Sequence, residues 1–364
     1  MKNIKLIAFY LPQFYPFKEN NEWWGEGFTE WTNVGKAKKY YPGHDQPKVP
    51  ADLGYYDLRL PENRMKQAQL AKDAGISAFC YWHYWFGNGK QLLNEVLEEV
   101  VEQGKPDFPF CLGWANHTWS KKNWNNKVSR FNNETLIEQK YPSKKDIDEH
   151  FYKMLPAFKD NRYFKVHDKL LFFIYDPLNL PNIDFFIKRW NELAVINNIP
   201  SFYFVGNYTG GKQEELEQLE NSLDAVALDL KNKAFGHDKF RIIKRRLSYL
   251  FPFPINVIRY SSAIKKMVTP LYAKEKIYPV VYPNWDHSPR VGISGTIMHG
   301  STPKLWGRYL RIVLSLICNK PKEDQVVFIK SWNEWAEGNY LEPDLKYGKS
   351  YLKEIFNILN ETSE

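Results

Sequence analysis

Eight short runs of β-branched and aromatic residues recur along the chain, at 4–10, 76–82, 108–114, 170–175, 202–206, 225–230, 278–282 and 326–332. Most are continuously apolar rather than alternating, the pattern of strands buried on both faces. Stretches with helical spacing separate them. Residues 62–74 open after Pro61 and close at Gly75, and 91–103 close at Gly104. Ser143 is placed to cap a helix running to about Lys159. Segments 184–197, 212–221, 302–318 (with Pro303 in its first turn) and 347–359 complete the series. A basic segment, 231–276, supplies helix between the sixth and seventh strands.

Eight strands alternating with helices predict an α/β protein, a (β/α)8 TIM barrel formed as a single domain over 1–364 with long βα loops. Segment 231–276 is then a basic helical insertion within it. A doubly wound sheet is the competing architecture. It usually has fewer strands and a glycine-rich turn after the first, where this chain has Leu11-Pro12-Gln13-Phe14. In a barrel the active site gathers at the C-terminal ends of the strands, so the residues following each strand become the candidates.

The eighth strand runs into Ser331-Trp332-Asn333-Glu334-Trp335-Ala336-Glu337-Gly338. Two carboxylates three residues apart in a turn lie on one side of it. Glycosidic cleavage needs such a pair, one group to protonate the leaving oxygen and one to act as nucleophile or base. Mutual repulsion raises one pKa and keeps one proton on the pair near neutrality. The alternative is two surface acids at a helix N-terminus. The second strand ends in Trp82-His83-Tyr84-Trp85, which reads as a stacking platform for a sugar face with a His for its hydroxyls, or as barrel-mouth packing. The third ends in Trp114-Ala115-Asn116-His117. Other strand ends offer Tyr10 and Gln13, Tyr175 with Asp176, Asn207 with Tyr208, and Asn284-Trp285-Asp286. The first βα loop is long and carries Trp23, Trp24, Glu26, Glu30 and Trp31, suited to a sugar subsite or to a self-packed lid.

Composition sharpens this picture. The chain has 364 residues, 43% of them hydrophobic, which excludes a disordered chain and a small disulfide-stapled scaffold. Aromatics reach 16%, with 13 Trp, and many fall where a strand gives way to a loop. Core packing alone does not favour Trp there, because its N–H needs a partner. Cys80, Cys111 and Cys318 cannot pair off; all sit in apolar runs and are expected as buried thiols in a reducing compartment. No metal site is expected from His83 and His117 alone, and no cofactor. Phosphate-loop, dinucleotide and nucleophile-elbow signatures are absent from the sequence. One Asp-x-Asp, Asp146-Ile147-Asp148, falls in a predicted amphipathic helix and is expected on its solvated face.

Charge is uneven. Of the net +8, segment 231–276 contributes +10 through twelve Lys/Arg against two acids, leaving −2 for the rest. Within it, residues 240–251 place apolar side chains at 240, 243, 247 and 250, an amphipathic pattern. This suits docking to an anionic membrane surface, or an ordinary barrel helix with a basic outer side. No nucleic-acid motif accompanies it. With no membrane-length apolar run and no signal cleavage site, the chain is expected to be cytoplasmic, with peripheral contact to the inner membrane through 240–251.

The motifs together resemble a known family. Phe9-Tyr10-Leu11-Pro12-Gln13-Phe14, Trp23-Trp24-Gly25, Gly27-Phe28-Thr29-Glu30-Trp31-Thr32-Asn33-Val34, Tyr81-Trp82-His83-Tyr84-Trp85-Phe86, Trp114-Ala115-Asn116, Pro283-Asn284-Trp285-Asp286, Trp332-Asn333-Glu334-Trp335-Ala336-Glu337-Gly338 and Tyr340-Leu341-Glu342-Pro343 resemble the WbsX-like proteins of O-antigen and capsule gene clusters. That group is similar to glycoside hydrolase family 99, which holds retaining endo-α-mannosidases and endo-mannanases on a (β/α)8 barrel. The resemblance implies a carbohydrate-active enzyme working on an α-linked glycan of a bacterial surface polysaccharide, free or lipid-linked, as hydrolase or transglycosylase. It implies that Glu334 takes the 2-hydroxyl proton so that O2 attacks the anomeric carbon, giving a 1,2-anhydro sugar. Glu337 is then the general acid and afterwards the base for water. The substrate-binding set it suggests is Tyr10, Gln13, Glu30, Trp31, Trp82, His83, Tyr84, Trp85, Trp114, Asn116, Tyr175, Asn207, Trp285, Trp332 and Asn333. A glycosyltransferase of lipopolysaccharide or capsule biosynthesis and a non-catalytic glycan-binding protein are the alternatives.

Overall fold

The computed structural model describes residues 4–121, 134–236, 243 and 256–361. Eight parallel strands, β1 (Lys5–Tyr10), β2 (Ala78–Trp85), β3 (Phe110–Trp114), β4 (Lys169–Ile174), β5 (Phe202–Tyr208), β6 (Ala225–Leu228), β7 (Ile277–Val281) and β8 (Val326–Ile329), pair in sequence order. The sheet closes where β1 lies between β8 and β2, with Lys5 opposite Val326 and Ile7 opposite Ala78. This is the (β/α)8 barrel that the alternation predicts. Each of the eight runs supplies one strand, because no strand has a face left for water.

Helices α1 (Pro61–Ala74), α2 (Glu95–Gln103), α3 (Lys144–Phe158), α4 (Ile183–Ile196), α5 (Gln213–Ser222), α6 (Tyr260–Met267), α7 (Pro303–Ile317) and α8 (Ser350–Asn360) follow the strands in turn. Their ends obey the local signals. Gly75 closes α1 in the left-handed conformation at φ +86°. Ser143 caps α3 by accepting from the Asp146 amide, and Thr302 caps α7 ahead of Pro303. α7 buries Trp306, Tyr309, Leu310, Val313, Leu314 and Ile317 at helical spacing.

Three expectations are corrected. Residues 91–103 are not one helix: Gln91–Leu92 pair antiparallel with the end of β2, and α2 starts only at Glu95. Cys318 is exposed after the last turn of α7, whereas Cys80 and Cys111 are buried neighbours on β2 and β3. Asp146 is buried rather than solvated, accepting from Trp85 Nε1 and the Asn88 amide. The proposed membrane-docking stretch 240–251 lies outside the described residues except for Ile243, which is exposed. No helix among the described residues is long and apolar enough to cross a membrane.

The barrel interior is aromatic. Phe9 stacks on Trp82 with ring centres 4.5 Å apart and meets Phe173 edge-on at 4.7 Å. Phe328 closes the layer, 5.4 Å from Phe9. Above it the Lys330 ammonium lies 5.5 to 5.9 Å over the Phe9, Trp82 and Tyr175 rings. This column fills the barrel and forms the floor of a cavity at the C-terminal ends of the strands.

Candidate active site

The chain after β8 makes a tight hairpin. Asn333–Glu334 pairs antiparallel with Asn339–Tyr340, around the single 3-10 turn Trp335–Glu337. The hairpin is fixed on several sides. The Asn333 amide accepts from the Leu11 N–H and donates to the Leu11 carbonyl, tying it to the end of β1. Trp335 stacks on Tyr340 at 3.8 Å and donates to Glu342, which also accepts from Gln67 and Tyr56. The Asp286 N–H donates to the Glu337 carbonyl at 2.7 Å, joining the hairpin to the loop after β7. Gly338 takes φ +51°, and a Cβ there would stand 2.7 Å from the Asp286 Cβ. The hairpin therefore needs glycine at that position twice over.

Both glutamates line a cavity of about 360 Å³ at the barrel mouth. Arg290 joins them. Its Nη1 donates to Glu337 at 2.6 Å, and its Nη2 reaches Glu30 at 2.6 Å and Glu334 at 3.3 Å. Glu30 comes from the first βα loop, at the start of the helix Glu30–Gly35 capped by Thr29. Burial, and then the Glu337 charge, push the Glu334 carboxyl above the usual carboxylate range. Burial acts the same way on Glu337, but Arg290, then His287, Lys231 and Lys330, outweigh it and hold that group below the range. The pair thus holds one proton near neutrality, and the opposite shifts place it on Glu334.

Other strand ends complete the wall. Asp229, just after β6, accepts from the Tyr282 hydroxyl at 2.7 Å and from the Lys231 N–H at 3.0 Å, and faces Lys330 at 3.5 Å. Lys231 lies 3.5 Å from the centre of the Trp285 indole. Gln13 and His117 also line the cavity. Both Gln13 amide atoms and His117 Nδ1 are buried and find no hydrogen-bond partner among the described residues. Burial keeps His117 neutral by lowering its pKa to about 4.

Of the residues singled out in the sequence, Gln13, Trp82, Tyr84, Tyr175, Glu334 and Glu337 meet at this cavity. Glu30 stands one layer behind, through Arg290. The supposed stacking platform divides by strand alternation. Trp82 and Tyr84 face the barrel axis. His83 and Trp85 point outward, His83 hydrogen-bonded to His150 at 2.6 Å and Trp85 stacked on the same imidazole at 5.0 Å. Burial lowers the His83 pKa to about 3, so it packs as a neutral ring. Trp114 follows them, donating to the Trp85 carbonyl. Asn116 bonds to Tyr141 and Asp176, Asn207 to the Tyr175 carbonyl, and Tyr10 to Gln67. Trp31 donates to the Tyr56 carbonyl and packs on Trp335. Trp332 is fully buried beneath the hairpin. Trp285 supports Lys231 rather than lining the cavity. These residues brace the walls.

Sequence reasoning missed Arg290, Lys330, Asp229, Lys231 and His287. Asp229 and Lys330 fall inside the predicted sixth and eighth runs, so the strand-end rule would have found them. Arg290 carries no such signal. Among the described residues, no group of three or more His, Cys, Asp and Glu side chains is placed to hold a metal ion.

Solved structures of similar shape include a glycoside hydrolase-like protein, with a TM-score of 0.63 at 14% identity, over 100% of this chain and 95% of that one. Another is the GH99 endo-α-mannosidase from Bacteroides thetaiotaomicron, with a TM-score of 0.57 at 17% identity, over 99% and 97%. At such identities the likeness is one of fold. The uncharacterized protein WxcX of Xanthomonas campestris pv. campestris is 34% identical over 350 residues, 95% of this chain and 48% of that protein. A WxcX from a second strain, B100, matches to the same extent. The chain thus spans about half the length of the curated relatives it matches. A family model described as Glycosyltransferase WbsX matches residues 6–355, nearly the whole chain, and the protein belongs to that family.

Proposed function

We propose that the protein is a glycan-processing enzyme that acts on an α-linked bacterial surface polysaccharide, as a retaining hydrolase or transglycosylase, with Glu334 and Glu337 as its catalytic pair. One observation carries the reading: two glutamates on one short turn at the mouth of a closed barrel line the same cavity and are bridged by one guanidinium. Gln13 and His117 offer unpaired buried polar atoms to sugar hydroxyls, and the Trp82, Tyr84 and Tyr175 rings supply apolar surface. A lipid-linked form of the glycan and a cytoplasmic location belong to the same proposal.

In the role order implied by the resemblance, Glu334 takes the 2-hydroxyl proton, O2 attacks the anomeric carbon, and Glu337 protonates the departing oxygen. The Glu337 carboxylate then takes a proton from water or an acceptor hydroxyl. That oxygen opens the 1,2-anhydro ring at the anomeric carbon, and O2 recovers its proton from Glu334. The hydrogen bonds of Arg290 favour the reverse order. Arg290 grips Glu337 at 2.6 Å, and a carboxylate so held is a poor proton donor.

Substitution separates the two orders. Each of Glu334→Gln and Glu337→Gln is expected to lose at least about a hundredfold in kcat on unactivated glycan. An aryl glycoside with a good leaving group then rescues only the variant that lacks the acid. Rescue of Glu337→Gln supports the first order and rescue of Glu334→Gln the second. Wild-type turnover by either variant on unactivated glycan would remove the pair from the chemistry. The family description favours a second reading, a sugar-nucleotide glycosyltransferase. It requires a sugar nucleotide to bind, which calorimetry measures directly.

A further inference from the structure

Three cations line the cavity, and two of them are matched. Arg290 faces Glu30 and Glu337, both at 2.6 Å, and Lys330 faces Asp229 at 3.5 Å. Lys231 differs. Its backbone N–H caps Asp229, but its ammonium makes no ion pair within 4 Å among the described residues and rests 3.5 Å above the Trp285 indole. An indole face attracts a cation but replaces only part of its lost hydration. Burial accordingly pulls the Lys231 pKa below that of a free lysine, although Glu337 and Asp229 oppose the shift. With Glu334 carrying the proton, the acids Glu337, Asp229 and Glu30 are already engaged by Arg290, Lys330 and the Tyr282 hydroxyl. A neutral sugar leaves the Lys231 ammonium with no oxyanion in direct contact, since Glu337 and Asp229 act on it only from beyond ion-pair distance.

We propose that the cavity selects an acidic glycan, and that Lys231 binds an oxyanion on the saccharide, a carboxylate or a phosphate, beside the Glu334–Glu337 pair. Asp229 and Trp285 hold the ammonium in place, one from beneath its backbone and one from beneath its charge. His287 lies on the same wall, and burial lowers its pKa to about 4, so near neutrality it adds no second positive charge there. The inference rests on the saccharide reading of the site and adds the class of saccharide.

The test is an array of bacterial oligosaccharides containing uronate-bearing, phosphate-bearing and neutral members, probed with the full chain and with Lys231→Met. The uronate members are spotted beside their carboxyl-reduced, neutral counterparts. Binding is expected to acidic members at least about tenfold more tightly than to neutral ones. Lys231→Met should cancel that preference, so that reduced and unreduced pairs bind it alike. Whether uronates or phosphates are retained identifies the oxyanion. Equal binding of reduced and unreduced pairs, or a preference that survives Lys231→Met, overturns the inference and leaves the saccharide site standing. Binding to no member overturns both.

Discussion

Arg290 decides the electrostatics of the site. A guanidinium presents a planar fork of donors, which lets one side chain serve Glu30, Glu334 and Glu337 together. Removing it strands buried carboxylates, and breaking a buried pair costs about 3–5 kcal/mol. Arg290→Met is therefore expected to lower the unfolding free energy by about that amount in urea at neutral pH. The sign with pH follows from Glu337. Its folded pKa lies below the unfolded value, so its contribution is present above the ordinary carboxylate pKa and is lost as pH falls through the folded one. The stability gap between wild type and Arg290→Met should thus narrow in acid. A gap that is constant with pH would show that Arg290 stabilises by packing alone. The sequence hid this residue for a geometric reason. Arg290 meets Glu30 across 260 positions and Glu334 across 44, and no local pattern encodes contacts at those separations. The glutamates themselves were legible because the turn that joins them is only three residues long.

At the level of elements, the decisive piece is the hairpin after β8. Its geometry depends on Gly338, whose left-handed backbone costs an L-residue about 1–2 kcal/mol before any clash. Gly338→Ala also drives a methyl group into Asp286, whose N–H holds the Glu337 carbonyl. The variant is expected to stay folded, melt at lower temperature, and lose at least about tenfold in kcat with a smaller change in KM, because the pair rather than the rest of the cavity wall moves. Unchanged kcat would mean that the hairpin does not set the position of Glu337. Elements like this were partly readable. The eight strands announced themselves because strands buried on both faces must be apolar throughout. The ends of helices were marked by Pro61, Gly75, Ser143 and Thr302. What the sequence concealed was direction. In Trp82-His83-Tyr84-Trp85 every residue is aromatic or imidazole, so composition could not separate the inward pair from the outward one. Only the register of β2 against β1 and β3 does that. Gln91–Leu92 misled similarly, since two apolar-flanked residues extend a helical pattern as well as they add a short strand to β2.

The site exists only when the whole barrel closes. Glu30 arrives from the loop after β1, Asp229 and Lys231 from the end of β6, Arg290 and His287 from the loop after β7, and Lys330 with the two glutamates from β8. No segment carries the charge balance alone, and under the proposed function that balance sets the pH range of activity. In either role order the pair must hold one proton: with two there is no base, with none there is no acid. Burial and the Glu337 charge move the loss of that proton from Glu334 above the usual carboxylate range. Arg290, His287, Lys231 and Lys330 move the gain of a second one, on Glu337, below it. The profile of kcat/KM should therefore be a wide plateau, falling on the alkaline side as Glu334 loses its proton at about 8 and on the acid side only as Glu337 is protonated at about 2. Both limbs belong to the pair, so Glu334→Gln should abolish the alkaline limb on a substrate it still turns over. A single acid limb near the ordinary glutamate value, with no alkaline limb, would mean that the two carboxyls titrate independently and that the guanidinium between them does not govern their proton.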